Sequence, residues 1–186
     1  MKLNLGCGSR KLEGFINVDM FAECSPDIVC NLEALPWAWE TGSVTEVLFN
    51  HSLEHMGASA EVFLGIIKEL YRICADGAII NINVPHPRHD NFINDPTHVR
   101  IITPALLSLF CKALNKEWQK TGAANTPLGL YLNVDFEILN VEQVLDPSYH
   151  QIFNEKKISM EDLLVAIREK NNVVSEYKIT MKAIKS

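Results

Sequence analysis

The chain has 186 residues, of which 47% are hydrophobic and 22% charged, values typical of one globular domain spanning residues 1–186. The net charge of −6 argues against nonspecific binding to nucleic acid, which depends on clustered Lys and Arg. No apolar run reaches the length of a membrane span, and the first residues lack the layout of a signal peptide. We therefore expect a cytoplasmic protein with neither a nucleic-acid nor a membrane partner. The five cysteines form no C-x-x-C pair, which disfavours a disulfide framework and a zinc ribbon.

Short apolar segments in the first half predict the strands of a buried sheet. They cover residues 2–5, 15–19, 27–30, 43–50 and 78–85. The unbroken apolar run Val47–Phe49 is typical of a strand covered on both faces, as in a parallel sheet. In the second half, residues 130–138 and 177–183 alternate apolar and polar side chains, which is the period of a strand with one exposed face.

Capping residues predict three helices. A serine with an acid in the first turn begins the first helix, a Thr-Pro pair begins the second, and a Ser-x-x-Asp capping box begins the third. The predicted helices run from Ser59 to the ADG turn at Gly77, from Thr103 to about Gln119, and onward from Ser159. Strands and helices together predict an open, mostly parallel α/β sheet that ends in antiparallel strands.

The segment LNLGCGSRKLEGFINVD places a glycine turn after the first strand and Asp19 at the end of the second. Ligands of open α/β sheets bind beyond the carboxyl ends of the strands, although a lone G-x-G is also compatible with a simple tight turn. A dinucleotide fingerprint is incomplete because Lys11 occupies the place of its third glycine. Asp19 follows Gly6 by only 13 residues, which leaves no room for a full crossover helix. A ligand with a ribose but no diphosphate fits this turn better.

Four segments in series resemble the class I S-adenosylmethionine-dependent methyltransferases, in particular small bacterial ones with a shortened first helix. They are the glycine segment above, DIVCNLEALPW, EVLFNHSLEHMG and IIKELYRICADGAIININVP, and they cover residues 2–85. The resemblance implies a Rossmann-like, mostly parallel seven-stranded sheet with helices on both faces and an antiparallel last strand. It also implies S-adenosylmethionine as cofactor and S-adenosylhomocysteine as product.

The resemblance assigns cofactor contacts to residues at the ends of the strands. The glycine turn would lie against the amino-acid part of the cofactor, Asp19 would hold the ribose, and Asn31 with Leu32 would meet the adenine. The end of the fourth strand would reach the methionine moiety and the methyl group. The full set is Gly6, Cys7, Gly8, Asp19, Met20, Asn31, Leu32, Asn50 and His51. Two positions depart from the family pattern, because Asn4 and Asn31 stand where an acid is usual.

Five of the six histidines fall between residues 51 and 98. His51 and His86 follow the fourth and fifth strands, so we predict them as candidate bases, with His86 ranked first. The segment 85–100 is predicted to be an active-site loop over the methyl group. A structural role in turns is the alternative, favoured for Glu54 and His55, and a metal site, for instance from His86, His89, Asp95 and His98, is disfavoured because the spacing of ligand types in HPRHD matches no common signature. Trp37 and Trp39 are compatible with an adenine wall or with plain packing.

Together with the resemblance, these residues predict a methyltransferase that acts on an O or N nucleophile of a small-molecule or glycan-type acceptor. The sequence contains no N-P-P-Y motif, so methylation of amide or nucleobase nitrogens is not indicated. A catalytically silent, cofactor-binding regulatory or partner subunit is the alternative, and an NAD-dependent oxidoreductase is a weaker one. The sequence leaves a monomer or a homodimer open.

Overall fold

The computed structural model describes residues 1–185 and contains seven strands and seven helices within that range. The strands are β1 Lys2–Leu5, β2 Ile16–Asp19, β3 Ile28–Val29, β4 Val44–Asn50, β5 Cys74–Pro85, β6 Phe136–Leu145 and β7 Val174–Ala183. The helices are α1 Ala60–Ile73, α2 Asp90–Ile93, α3 Pro104–Ser108, α4 Lys112–Thr121, α5 Leu128–Leu132, α6 Pro147–Asn154 and α7 Met160–Glu169. Two 3-10 turns lie at Ala22–Cys24 and Leu53–His55.

All seven strands form one sheet in the order β3-β2-β1-β4-β5-β7-β6. The five strands β3, β2, β1, β4 and β5 pair in parallel, and β7 runs antiparallel to both of its neighbours. The predicted fold class, a Rossmann-like and mostly parallel seven-stranded sheet with an antiparallel last strand, is confirmed. The carboxyl ends of β1 to β5 consequently meet at one edge of the sheet, where the glycine turn also lies.

The first helix begins where its cap predicts and ends earlier than predicted. The Ser59 side chain accepts a hydrogen bond from the Val62 N–H, and α1 buries its apolar face against the sheet. The helix ends at Ile73, whereas the sequence predicts an end at the ADG turn. Cys74 already pairs with Val44, so β5 begins there and the positive φ of Gly77, 74°, falls at an irregularity within the strand.

No helix lies between β1 and β2, which are joined by residues 6–15. The buried amides of Asn4 and Asn17 fix this connection, because Asn4 Nδ2 donates to Asn17 Oδ1 at 2.9 Å and to the Arg10 carbonyl at 3.0 Å. Asn17 in turn exchanges hydrogen bonds with the Leu12 backbone and with Asp27. Asn4 thus has a structural role where the family pattern has an acid.

Two predictions in the second half are wrong. The helix predicted from Thr103 to about Gln119 breaks into α3 and α4, because fully buried Phe110 lies between them and its carbonyl accepts from the Phe136 N–H at 3.1 Å. The strand predicted over 130–138 starts only at Phe136, since the preceding Leu-x-Leu alternation folds as the short helix α5. The predicted last strand and the helix capped by Ser159 are confirmed. None of the described helices is long and apolar enough to cross a membrane.

Candidate active site

A cavity of about 500 Å³ lies beyond the carboxyl ends of β1 to β4. Its walls come from the four segments that follow these strands, together with one residue of the segment after β5. The lining residues are Gly6, Gly8, Asp19, Met20, Phe21, Cys30, Asn31, Leu32, Glu33, His51, Ser52, His55, Met56 and Thr97. We refer to it as the first cavity. Seven of the nine residues predicted to bind the cofactor lie here, and the other two, Cys7 and Asn50, line a neighbouring cavity.

The glycine turn needs glycine at two positions for different reasons. Gly6 and Gly8 both have positive φ, 70° and 50°. A Cβ on Gly6 would lie 2.4 Å from the Cβ of Ser52, so this glycine lets β1 approach the segment that follows β4. A Cβ on Gly8 would meet no protein atom within 4 Å, and Gly8 lines the cavity. A side chain at Gly8 would therefore take up space that a ligand could occupy.

Asp19 ties the end of β2 to the glycine turn. Its Oδ2 accepts from the Gly8 N–H at 2.8 Å and its Oδ1 accepts from the Phe21 N–H at 3.0 Å. The side chain is buried at the wall of the first cavity. Because a carboxylate offers about four lone-pair directions, both oxygens can still accept hydrogen bonds from hydroxyl groups of a ligand. Asp19 is thereby fixed in orientation before any ligand binds.

The far end of the first cavity is formed by the segment after β3. The Asn31 side chain accepts from the Glu33 N–H at 2.9 Å in a local turn, and Glu33 accepts from the Gly57 N–H at 2.6 Å. Trp37 is buried, and its Nε1–H donates to the Leu32 carbonyl at 2.9 Å. Trp37 and Trp39 do not line this cavity, and their rings pack edge to face with centroids 5.8 Å apart, which supports packing as their role.

A second cavity of about 510 Å³ adjoins the first and shares Gly6, Gly8, His51 and His55 with it. Its remaining walls are polar and come from the glycine turn, the end of β4 and the segment 85–100. They are Cys7, Ser9, Arg10, Asn50, Glu54, Pro85, Asn91, Asp95 and His98. The thiol of Cys7 is buried, and burial together with the charge of Asp19 raises its pKa, which keeps it protonated.

His51 lies at the junction of the two cavities between two carboxylates. Its backbone has a positive φ of 52°, and its N–H donates to the Asn83 carbonyl at 2.9 Å. Nδ1 lies 3.6 Å from Glu54 Oε1, and Nε2 lies 2.9 Å from Glu176 Oε2. Glu54 and then Glu176 raise the pKa of the imidazole above its usual range, against the opposing effect of burial. A residue with a strained backbone and a shifted pKa is typical of functional sites.

His86 does not line either cavity. It is buried, with its ring 4.9 Å from the ring of Tyr177, and its Nδ1 accepts from the Arg88 N–H at 3.2 Å. Burial, with Arg88 and His89 nearby, lowers the pKa of His86 to about 4. The structure therefore gives no geometric support to the prediction that His86 is the leading candidate base, and of the two candidates it brings only His51 to the cavities.

The segment 85–100 is anchored at both ends. Near its start, Arg88 donates to the carbonyls of Ile167 and Arg168, at the end of α7. At its end, the N–H groups of Val99 and Arg100 both donate to the Glu54 carbonyl, at 2.9 and 3.0 Å. Between these anchors, Asn91, Asp95, Thr97 and His98 reach the cavities. Of the segment predicted to be an active-site loop, Pro85 and four residues within 91–98 therefore line the cavities.

Sequence reasoning missed several residues that line the cavities. Phe21, Met56 and Glu33 contribute to the first cavity, and Arg10 contributes to the second. Phe21 lies two residues after Asp19 and is 58% exposed, so its position just past a strand end is the signal that could have identified it. The contribution of Met56 depends on the turn after β4 and has no comparable signal.

Comparison with known proteins relates the chain to others through its fold. No family model and no curated protein matches its sequence. A SAM-dependent methyltransferase from Archaeoglobus fulgidus superposes with a TM-score of 0.61 at 18% identity, over 97% of this chain and 85% of that one. One from Methanosarcina mazei gives 0.56 at 13% identity, over 100% and 92%.

A third similar structure contains bound ligands. It is the 1,6-didemethyltoxoflavin-N1-methyltransferase of Burkholderia thailandensis, with 1,6-didemethyltoxoflavin and S-adenosylhomocysteine bound. It superposes with a TM-score of 0.53 at 11% identity, over 99% of this chain and 71% of that one. Together with the strand order, these likenesses show that the chain has the fold of class I S-adenosylmethionine-dependent methyltransferases.

Proposed function

We propose that this protein is an S-adenosylmethionine-dependent methyltransferase that acts on an O or N nucleophile of a small-molecule or glycan-type acceptor. The observation that carries the proposal is a pair of joined cavities at one edge of the sheet. The first has the glycine turn and Asp19 on its walls, and the second is polar. His51 lies where the two meet.

The first cavity fits the proposed cofactor in size and in chemistry. Its volume of about 500 Å³ lies within the usual range of small-molecule sites. Asp19 offers two fixed acceptor oxygens for ribose hydroxyls, and Met20, Phe21 and Leu32 offer apolar surface for an adenine ring. The open space at Gly8 leaves the backbone accessible to the amino-acid part. S-Adenosylmethionine would supply an electrophilic methyl group there, activated by its sulfonium.

The residues of the chain would supply orientation and a proton acceptor. In its neutral form, His51 would donate its Nε2–H to Glu176 and use Nδ1, 3.6 Å from Glu54, to accept a proton from an acceptor hydroxyl or amine. Holding the two reactants in line can contribute about 7–11 kcal/mol, compared with roughly 3–5 kcal/mol from a general base. Positioning in the second cavity is thus expected to be the larger contribution.

The structure also bears on the two alternatives. An NAD-dependent oxidoreductase is disfavoured because residues 6–15 form no helix whose N-terminus could bind a diphosphate. The silent-subunit alternative rests on Asn4 in place of the usual acid and on the shortened first helix. The amide pair with Asn17 gives Asn4 a structural reason, whereas the missing helix between β1 and β2 leaves this alternative open. The proposal includes a small acceptor and leaves both a monomer and a homodimer open.

Thermal unfolding with three ligands tests the cofactor, because a ligand that binds only the native state raises the unfolding temperature. We expect S-adenosylmethionine and S-adenosylhomocysteine to stabilise the protein and NAD to leave it unchanged. A screen of hydroxyl and amine acceptors that detects release of S-adenosylhomocysteine then tests the reaction. Stabilisation by NAD alone would contradict the proposal, and cofactor binding without turnover on any acceptor would favour the silent subunit.

A further inference from the structure

The second cavity contains a carboxylate that its protein neighbours leave unsatisfied. Glu54 is 1% exposed, and neither of its carboxylate oxygens has a hydrogen-bond partner among residues 1–185. The basic nitrogens within 4.0 Å of it are His51 Nδ1 at 3.6 Å and His98 Nε2 at 4.0 Å, both beyond hydrogen-bond distance. A buried carboxylate without partners is strongly unfavourable unless it is paired or binds a metal. The neighbouring imidazoles of His51 and His98 can offset the charge of Glu54 but do not hydrogen-bond to it, so both of its oxygens keep lone pairs that a ligand could use.

Two histidines next to Glu54 are held in the tautomer that binds metals. His98 Nδ1 lies 2.9 Å from the Phe92 carbonyl, which can only accept, so this nitrogen carries the proton and Nε2 keeps its lone pair. The hydroxyl of Thr97 donates to Asp95 Oδ1 at 2.6 Å, so Thr97 can only accept from His55 Nδ1, 2.9 Å away. His55 likewise keeps a free Nε2. Oxygen partners on the other ring nitrogen are typical of metal-binding histidines.

The side chains of Glu54, His55 and His98 lie close enough to share one ion. Each offers a ligand atom, and these atoms all lie within 4.8 Å of one another. Metal bonds of about 2.0–2.2 Å require modest rotations of the side chains to bring the atoms closer. Asp95 Oδ2, 3.8 Å from His98 Nε2, is an additional carboxylate at the same place. Histidine nitrogens combined with carboxylate oxygens suit divalent transition metals such as zinc.

We propose that Glu54, His55 and His98 bind a divalent transition-metal ion of the zinc type in the second cavity. The sequence favours only turn roles for Glu54 and His55, because His98 lies 44 and 43 residues further along the chain. The N–H groups of Val99 and Arg100, which donate to the Glu54 carbonyl, bring His98 to them. An ion at this place faces the cavity in which the acceptor is proposed to bind, and would take an oxygen of the acceptor as a further ligand. Metal binding itself does not depend on the proposed function.

Calorimetric titration of the chelator-treated protein with zinc chloride, without any cofactor, tests the site. We expect one zinc ion per chain, with affinity at least about tenfold weaker in the Glu54→Gln and His98→Ala variants. His150→Ala is the matched control, because His150 is an exposed histidine on α6 outside both cavities and its removal should change nothing. His55→Ala gives a second test of the cluster if the buried Glu54→Gln variant does not fold.

The free cysteines require a second measurement, because thiolates also bind zinc. The absorption spectrum of the cobalt(II)-loaded protein distinguishes thiolate ligands from histidine and carboxylate ligands, since only a thiolate ligand adds an intense charge-transfer band. We expect bands of nitrogen and oxygen ligation that the His98→Ala variant loses. Absence of zinc binding, equal binding by wild type and all three cluster variants, or a thiolate band would overturn the proposal. None of these outcomes depends on methyl transfer, so failure of the metal site and failure of the proposed function are distinguishable.

Discussion

The two cavities are nearly equal in size and differ in how the chain builds them. The first is lined mostly by residues within a few positions of the ends of β1, β2, β3 and β4, and many of these are apolar. The second is polar and depends on residues 91–98 folding back onto the turn at Glu54. Under the proposed function, the cofactor site depends on residues close to the strand ends, and the acceptor site depends on a contact between segments distant in sequence.

The largest expected effect is at the glycine turn. In Gly8→Val a side chain would fill the open space beside the first cavity, so we expect no detectable binding of S-adenosylhomocysteine by calorimetry. Gly14→Val is the matched control, because Gly14 also has a positive φ, 80°, and an open Cβ position but lines neither cavity. Equal loss of binding in the two variants would show that backbone strain, and not the cavity, is responsible.

Replacement of His51 tests the junction between the cavities. We expect His51→Ala to lower turnover by about 10²–10⁴-fold, because a positioned proton acceptor is lost, with little change in cofactor affinity. His86→Ala should lower turnover far less, since His86 is buried away from both cavities. Steady-state kinetics on an acceptor found by screening would check this, and the reverse ranking would restore His86 as the candidate base.

Asp19 tests the first cavity alone. Asp19→Ala would remove two charge-assisted hydrogen bonds to the ribose, each worth about 1.5–3 kcal/mol, and would also release the Gly8 N–H. We expect at least about a tenfold loss of affinity for S-adenosylhomocysteine by calorimetry. Asp19→Asn, which retains an acceptor oxygen, should lose less. Unchanged affinity in both variants would contradict the assignment of Asp19 to the ribose.

Some of these features can be predicted from the sequence, and others depend on tertiary contacts. The ends of β1, β2 and β3, the glycine turn and Asp19 are predictable because they follow from apolar runs and turn chemistry within the first 33 residues. The alternation at 130–132 misleads because a one-turn helix with spaced leucines has the same local pattern as a strand. The cluster around Glu54 and the burial of His86 are tertiary outcomes, set by contacts between segments more than 40 residues apart, and no local pattern encodes them.

The smallest expected effect is a change in the hydrogen-exchange rate of the segment 85–100 when ligand binds. The anchors at Arg88 and Arg100 should protect the ends of the segment 85–100 in the free protein, whereas α2 is a single turn that opens easily. Because Thr97 lines the first cavity, S-adenosylhomocysteine should slow hydrogen exchange within residues 91–97. Equal exchange with and without the ligand would show that these residues form a static wall.

The most direct test of the central claim is an NMR titration of the isotope-labelled protein with S-adenosylhomocysteine, read at each backbone amide. We expect saturable shifts concentrated in the walls of the first cavity, at Gly6 and Gly8, at Asp19–Phe21 and at Asn31–Leu32. Asp95 and His98, on the far wall of the second cavity, should shift much less until an acceptor is added. Shifts centred on the second cavity, or no saturable shifts, would contradict the assignment of the first cavity to the cofactor.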